Sequence, residues 1–414
     1  MTATPSREDC AARDLSDPLA RFRDAFVLPD GVIYLDGNSL GALPASAAAR
    51  IHEAVAHDWG QGLIRSWNAA GWIDLPAKLG AKIAPLIGAA PDEVIVADST
   101  SVNLFKLLVA ALRQRPERRV ILMEARDFPT DLYIGQGVAA LMGDGYTCRI
   151  VPGEEIDAAL DESVAVLALT HVNFRTGAVH DMARLTRRAH DAGALTIWDL
   201  CHTVGAMSVD LTGARADFAL GCTYKYLNGG PGAPAFVYVP NHLQEAFHQP
   251  LTGWMGHADP FSFVDDYAPA AGIRRALSGT PGVLSMVALD AALDVWADVD
   301  LNVLRAKSVA LGDLFIALVE ARCAGHGFNL ASPRDGNQRG SQVSFQHPQG
   351  YAIMQALIAR GVIGDFRAPD IVRFGFAPLY TRYVDVWQAA EVLFDIMETR
   401  AWDTPQFKAR ATVT

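Results

Sequence analysis

The stretch GCTYKYLNGGPGAPAFVYV (221–239) sets one lysine, Lys225, between two tyrosines, ahead of a Gly–Pro run that leads into an apolar segment. A solvated surface lysine needs no such setting. A lysine that must swing, form a covalent bond and release it does. The stretch also closes a longer pattern. Short apolar runs rich in Val and Ile recur upstream of it: EVIVAD (93–98), RRVILME (118–124), SVAVLALTHV (163–172), ALTIWDL (194–200) and ADFALG (216–221), with AFVYV (235–239) the last. Strands that are apolar on both faces belong to a mostly parallel sheet covered by helices. Between them, TSVNLFKLLVAALRQR brings Leu104, Leu107, Leu108, Ala111 and Leu112 onto one helical face. HDMARLTRRAHDAG reads as a second amphipathic helix that stops at Gly193. The alternation predicts an α/β domain.

Beyond about residue 283 the texture changes. VLSMVALDAALDVWADVD and LNVLRAKSVALGDLFIALVEARCAG predict long helices, followed by short strands near 341–346 and 371–376 and helices near 350–360 and 383–399. The expected division is an N-terminal arm (1–50) joining a smaller α+β domain (291–414), with the large α/β domain at 51–290. Composition narrows the function. The chain has 414 residues, half of them hydrophobic, and a formal net charge of −11. An acidic balance argues against nucleic acid, which is held by basic patches. No apolar run reaches the ~18 residues of a membrane span. The five cysteines are scattered, without a C-x-x-C pair, and the start, MTATPSREDCAARD, does not read as a signal peptide; a cytoplasmic protein is expected. Histidine spacing offers no metal site, since His52 and His57 do not share a helix face.

In open α/β sheets ligands bind beyond the carboxyl ends of the strands. The segments just after the apolar runs are STSVN, ARDFPTD, NFRTG, CHTVG and CTYKY, so hydroxyls, acids, a histidine and the lysine gather at one edge. Singly, each has a plain reading: Asp199 as a turn acid, Thr100 and Ser101 as helix caps, Phe128 as core, Asp131 as a buried polar partner or cap. Together they have a chemical one. An Asp at a strand end followed by His202 and then Lys225 suits a pyridine-ring cofactor, the Asp pairing with the ring nitrogen and the Lys forming a Schiff base with the ring's aldehyde. A carboxylate ~4 Å from that nitrogen contributes about 4 kcal/mol at an effective dielectric of 20, or roughly three pKa units. Thr100 and Ser101 at a helix start, with Tyr224, suit a phosphate, and Phe128 offers a face for the ring.

LDGNSLGALP, STSVNLF, DFPTD, VNFRTG, WDLCH, TYKYLNGGPG, GW at 253–254 and RFGFAPLY run through most of the chain in one order. In these motifs the sequence resembles the kynureninases, pyridoxal 5′-phosphate enzymes of the aspartate aminotransferase (type I) fold. The resemblance implies a large domain with a seven-stranded, mostly parallel sheet, a smaller α+β domain, and a homodimer with its active site at the interface. It implies hydrolysis of L-kynurenine to anthranilate and L-alanine in tryptophan catabolism. Lys225, Asp199 and Tyr224 then match the catalytic group. Thr100, Ser101, Phe128, Asp131, Thr170 and His202 match cofactor contacts, and Trp254 and Thr280 match contacts reaching across the dimer. Arg373 matches the arginine that grips the substrate carboxylate, and Ser39, Trp67 and Thr280 match the substrate pocket. Indole at position 67 predicts L-kynurenine preferred over its 3-hydroxy derivative. The nearest alternative is another enzyme of this fold, such as a cysteine desulfurase or a class V aminotransferase. A desulfurase needs a mobile nucleophilic cysteine late in the chain, and Cys323 falls in a predicted helical stretch.

Overall fold

The computed structural model describes residues 4–410. Seven strands make its main sheet: β1 (Val94–Val96), β2 (Val120–Glu124), β3 (Thr147–Val151), β4 (Val164–Thr170), β5 (Leu195–Asp199), β6 (Phe218–Gly221) and β7 (Phe236–Tyr238). Their spatial order is β1-β7-β6-β5-β4-β2-β3. Neighbours run parallel throughout except at β7, which is antiparallel to both β6 and β1. Six of the seven coincide with the apolar runs. β3 does not, because it is an edge strand, partly exposed, with Thr147 and Arg149 interrupting its apolar residues. Its partial exposure at this edge leaves it without a continuous apolar run, whereas β1, at the other edge, is fully buried and keeps one.

Alternate residues of the inner strands serve two cores. Leu122, Leu167 and Trp198 pack into one, while Ile121, Val166 and Ile197 pack into the other. That division follows from the period-two geometry of a strand. The helices covering the sheet begin where the sequence indicates. α1 (Thr100–Gln114) is capped by Ser99, whose hydroxyl accepts from the Val102 amide. α2 (Pro129–Met142) opens with proline in its first turn, where a missing N–H costs nothing. α3 (Met182–Asp191) is capped by Asp181 and is followed by Gly193 at φ +81°.

A second, antiparallel sheet is built from β8 (Asn329–Leu330), β9 (Gln342–Gln346), β10 (Asp365–Arg367) and β11 (Ile371–Gly375), in the order β8-β9-β11-β10. Helices Leu301–Arg322, Gly350–Ala359 and Tyr383–Glu398 accompany it. The start of the chain is tied to this region. The helix Arg7–Leu15 brings the Asp14 carboxylate to the amides of Tyr383 and Val384. Ile33–Tyr34 pairs in parallel with Val362–Ile363.

Candidate active site

Five parallel strands deliver their carboxyl ends to one edge of the main sheet, and a cavity of about 550 Å³ opens there. Thr100 and Ser101 reach it from the first turn of α1, Phe128 and Asp131 from the loop after β2 and the start of α2, and Thr170 and Asp199 from the ends of β4 and β5. His202, Tyr224 and Lys225 lie just past β5 and β6, and Thr280 stands in the facing loop Leu277–Gly282. Ten residues singled out in the sequence therefore meet around one space.

Lys225 sits at its centre. Its Nζ lies 2.8 Å from Nε2 of His202, 5.9 Å from the centre of the Phe128 ring and 6.0 Å from that of Tyr224. Burial, reinforced by the charge of Lys225, holds His202 well below the usual histidine range. The loop carrying Lys225 is pinned from outside. The Gly41 amide donates to the Tyr224 carbonyl at 2.8 Å, and a Cβ at Gly41 would stand 2.2 Å from the Lys225 carbonyl oxygen. The Asn228 side chain donates to the Ala42 carbonyl. The glycine of GNSLG thus lets the N-terminal segment close on the lysine loop.

Three buried carboxyl groups gather nearby, of which Asp131 and Asp199 line the cavity. Asp199 accepts from the Cys201 amide at 2.6 Å. Asp131 is pushed well above the usual carboxyl range by burial and by the charges of Asp199 and Asp127. Asp127, which sequence reasoning passed over, accepts from the amides of Phe128 at 2.7 Å and Thr170 at 3.1 Å, and burial raises it to about 6. The sign that could have found it was its place in the same strand-end loop as Phe128 and Asp131.

These residues suit a phosphorylated pyridine. The first-turn amides of α1 and two hydroxyls offer donors to an anion, and the dipole favours it. Phe128 meets Phe174 edge to face, with centres 5.3 Å apart, and keeps 40% of its surface exposed, so a ring face is free to stack on. Among the described residues, the Thr170 hydroxyl and His202 Nδ1 are buried with no partner at good hydrogen-bond geometry, although Asp127 and Gln342 stand close to them, which leaves polar atoms that a ligand could satisfy.

Other expected residues lie apart from the cavity wall. Arg373 and Ser39 contact each other, Arg373 Nη2 donating to Ser39 Oγ at 2.9 Å, in a buried cluster behind Phe174. Trp67, in the short helix Ser66–Ala69, packs edge to face on Trp72. Trp254 is partly exposed against Phe261, in a separate loop. Cys323 caps the helix Leu301–Arg322 as a buried thiol pushed up to about 12 by burial, a poor nucleophile.

Comparison with known proteins places the chain in a family. Residues 304–393 match the family described as "Kynureninase C-terminal domain". The chain is 56% identical over 414 residues to a kynureninase of Burkholderia mallei (strain SAVP1), covering 99% of this chain and 100% of the relative. It is 54% identical, with the same coverage, to a kynureninase of Pseudomonas fluorescens. Among solved structures, a cysteine desulfurase from Thermococcus onnurineus NA1 superposes with a TM-score of 0.75 at 19% identity, over 92% of this chain and 98% of that one. One from Escherichia coli gives 0.74 at 20% identity over the same shares. The desulfurases share the type I fold of pyridoxal phosphate enzymes, while sequence identity over the full length separates this chain from them. The chain belongs to the kynureninase family.

Proposed function

We propose that the protein hydrolyses L-kynurenine to anthranilate and L-alanine with pyridoxal 5′-phosphate, as a step in tryptophan breakdown. The observation that carries this reading is the placement of Lys225, His202, Asp199 and Asp131 around one cavity in a member of this family. Bound there, the cofactor would supply an electron sink for the carbon skeleton attached to the substrate's amino group. Lys225 holds the cofactor through Nζ and, once released from it, carries a proton to and from the substrate's Cα. His202 accepts from Nζ and keeps it aimed at that face. Asp199 would stand against the ring nitrogen of the bound cofactor and favour its protonated form. Phe128, Thr170 and Tyr224 would hold the cofactor's ring, and Thr100 and Ser101, at the start of α1, its phosphate.

Arg373 and Ser39 receive the substrate carboxylate. Thr280 borders the aryl group, and L-kynurenine is preferred over the 3-hydroxy compound. The protein works in the cytoplasm as a homodimer in which Trp254 and Thr280 reach the neighbouring site. The exposed Trp254, Phe261 and Phe263 support that assembly as a patch to be covered. The test mixes purified protein with pyridoxal phosphate and L-kynurenine and monitors anthranilate fluorescence, with L-alanine released in equal amount. Absence of both products refutes the reading.

A further inference from the structure

The Arg373 guanidinium is already engaged. Its Nε donates to Asp365 Oδ1 at 2.8 Å and its Nη2 contacts Asp365 Oδ2, a side-on pair. Nη2 also donates to Ser39 Oγ at 2.9 Å, and Nη1 donates to the Phe174 carbonyl at 2.5 Å. The register of the second sheet fixes the pair, since Asp365 on β10 stands directly across from Arg373 on β11. A second arginine shares it: Arg367 Nη2 donates to Asp365 Oδ2 at 2.6 Å and to Ser39 Oγ at 3.2 Å. Ser39 donates its own proton to Asp365 at 2.9 Å. Arg373 and Asp365 are each only 1% exposed.

A guanidinium has five N–H donors. The edge made by Nε and Nη2 is spent on a charged partner. The edge made by Nη1 and Nη2 meets only neutral ones, a hydroxyl and the carbonyl of Phe174, a residue that lines the cavity. An arriving carboxylate can replace a hydroxyl and a carbonyl; displacing Asp365 would strand a buried charge. We infer that Asp365 is a positioning residue for the substrate: it grips one edge of Arg373 and gathers Arg367 beside it, so that the other edge is presented to the substrate's carboxylate. Charge agrees. Two arginines face Asp365 and Asp36, and Asp36 is lifted to about 7 by burial and then by the charge of Asp365, so the cluster remains net positive toward a ligand.

This inference rests on the kynurenine reading, and an unmodified protein that forms no anthranilate refutes that reading before any variant is made. The variant is Asp365→Asn in the cofactor-loaded enzyme. Two competitive inhibitors are compared: L-alanine, which carries the carboxylate, and 2-aminoacetophenone, an aryl ketone without one. L-alanine inhibition should weaken at least about tenfold, with KM for L-kynurenine rising alongside, while kcat and the aryl ketone's inhibition hold within about twofold. An unchanged or tighter L-alanine constant overturns the inference, and so does equal weakening of both inhibitors, which would mark general distortion. Should Asp365→Asn fail to fold, Arg367→Gln serves, since that side chain is 35% exposed. L-alanine inhibition should then weaken about threefold with the aryl ketone unaffected, and no selective change overturns the inference.

Discussion

The cofactor wall of the site and the carboxylate cluster behind it are built differently. Around Lys225 the polar groups face open space: among the described residues, His202 Nδ1 and the Thr170 hydroxyl have no partner at good hydrogen-bond geometry, and Phe128 keeps a free face. Around Arg373 the donors are taken from within, by Asp365, Ser39 and the Phe174 carbonyl. The first region is prepared for a ligand that stays. The second is closed on itself and must exchange partners at each turnover, which places binding of the substrate's carboxylate under the control of its own internal ion pair. Substitutions that affect the two regions separately test the contrast.

The largest effect is expected on the cofactor wall. Asp199→Asn removes the charge opposite the ring nitrogen but keeps its shape; a loss of roughly three pKa units of stabilisation predicts turnover down by about a thousandfold. Cofactor affinity, measured by titrating the visible absorbance, should fall far less. Near-normal turnover would remove Asp199 from the role. In the carboxylate cluster, Arg373→Lys keeps a charge and loses the planar fork. KM for L-kynurenine should rise at least about tenfold, and the melting temperature should fall because Asp365 loses its side-on partner. An unchanged KM would point to Arg175, whose guanidinium lies 3.7 Å from Asp370.

The same contrast divides the residues that were legible in the sequence from those that were not. Residues just past the strands of a parallel sheet converge by topology, so Thr100, Phe128, Asp131, Thr170, Asp199 and Lys225 could be gathered from strand ends alone. Asp365 could not, because its meaning lies in a two-strand register between short segments that carry no long apolar run. β3 was hidden for a related reason: its exposed edge position leaves a mixed sequence. Trp67 and Thr280 were grouped as one pocket, and the chain sets Thr280 on the cavity and Trp67 against Trp72.

A smaller effect concerns that pair. L-kynurenine should be favoured over 3-hydroxykynurenine by at least about tenfold in kcat/KM, a difference of ~1.4 kcal/mol, since a buried hydroxyl without a partner costs about that much. Thr280→Asn should narrow the ratio, and Trp67→His alone should leave it unchanged. Equal constants for the two substrates in the unmodified enzyme contradict the pocket argument and leave the chemistry at Lys225 untouched.

The smallest expected effect separates structure from function on the cofactor wall. Asp127, raised to about 6 by burial, holds a proton in the folded protein that the unfolded chain has already released. Its contribution to stability therefore falls as pH rises from about 4 to 6, by at most about 3 kcal/mol. Asp127→Asn removes that dependence at the cost of one acceptor. Compared with the parent, the variant should gain in melting temperature as pH rises from 4.5 to 7 (about 2.5 units across the titration). A parallel pair of curves would show that Asp127 does not titrate there.

The role of Lys225 as the residue that holds the cofactor has a direct test. Lys106 is the competing lysine: it is buried near the same cavity, but its Nζ is paired with Asp98 at 2.5 Å and with the Ala276 carbonyl at 2.8 Å. Protein loaded with pyridoxal phosphate is reduced with borohydride, digested, and its labelled peptide sequenced. The label is expected on Lys225, and none in Lys225→Ala. A label on Lys106, or an equal label surviving in Lys225→Ala, would contradict that role.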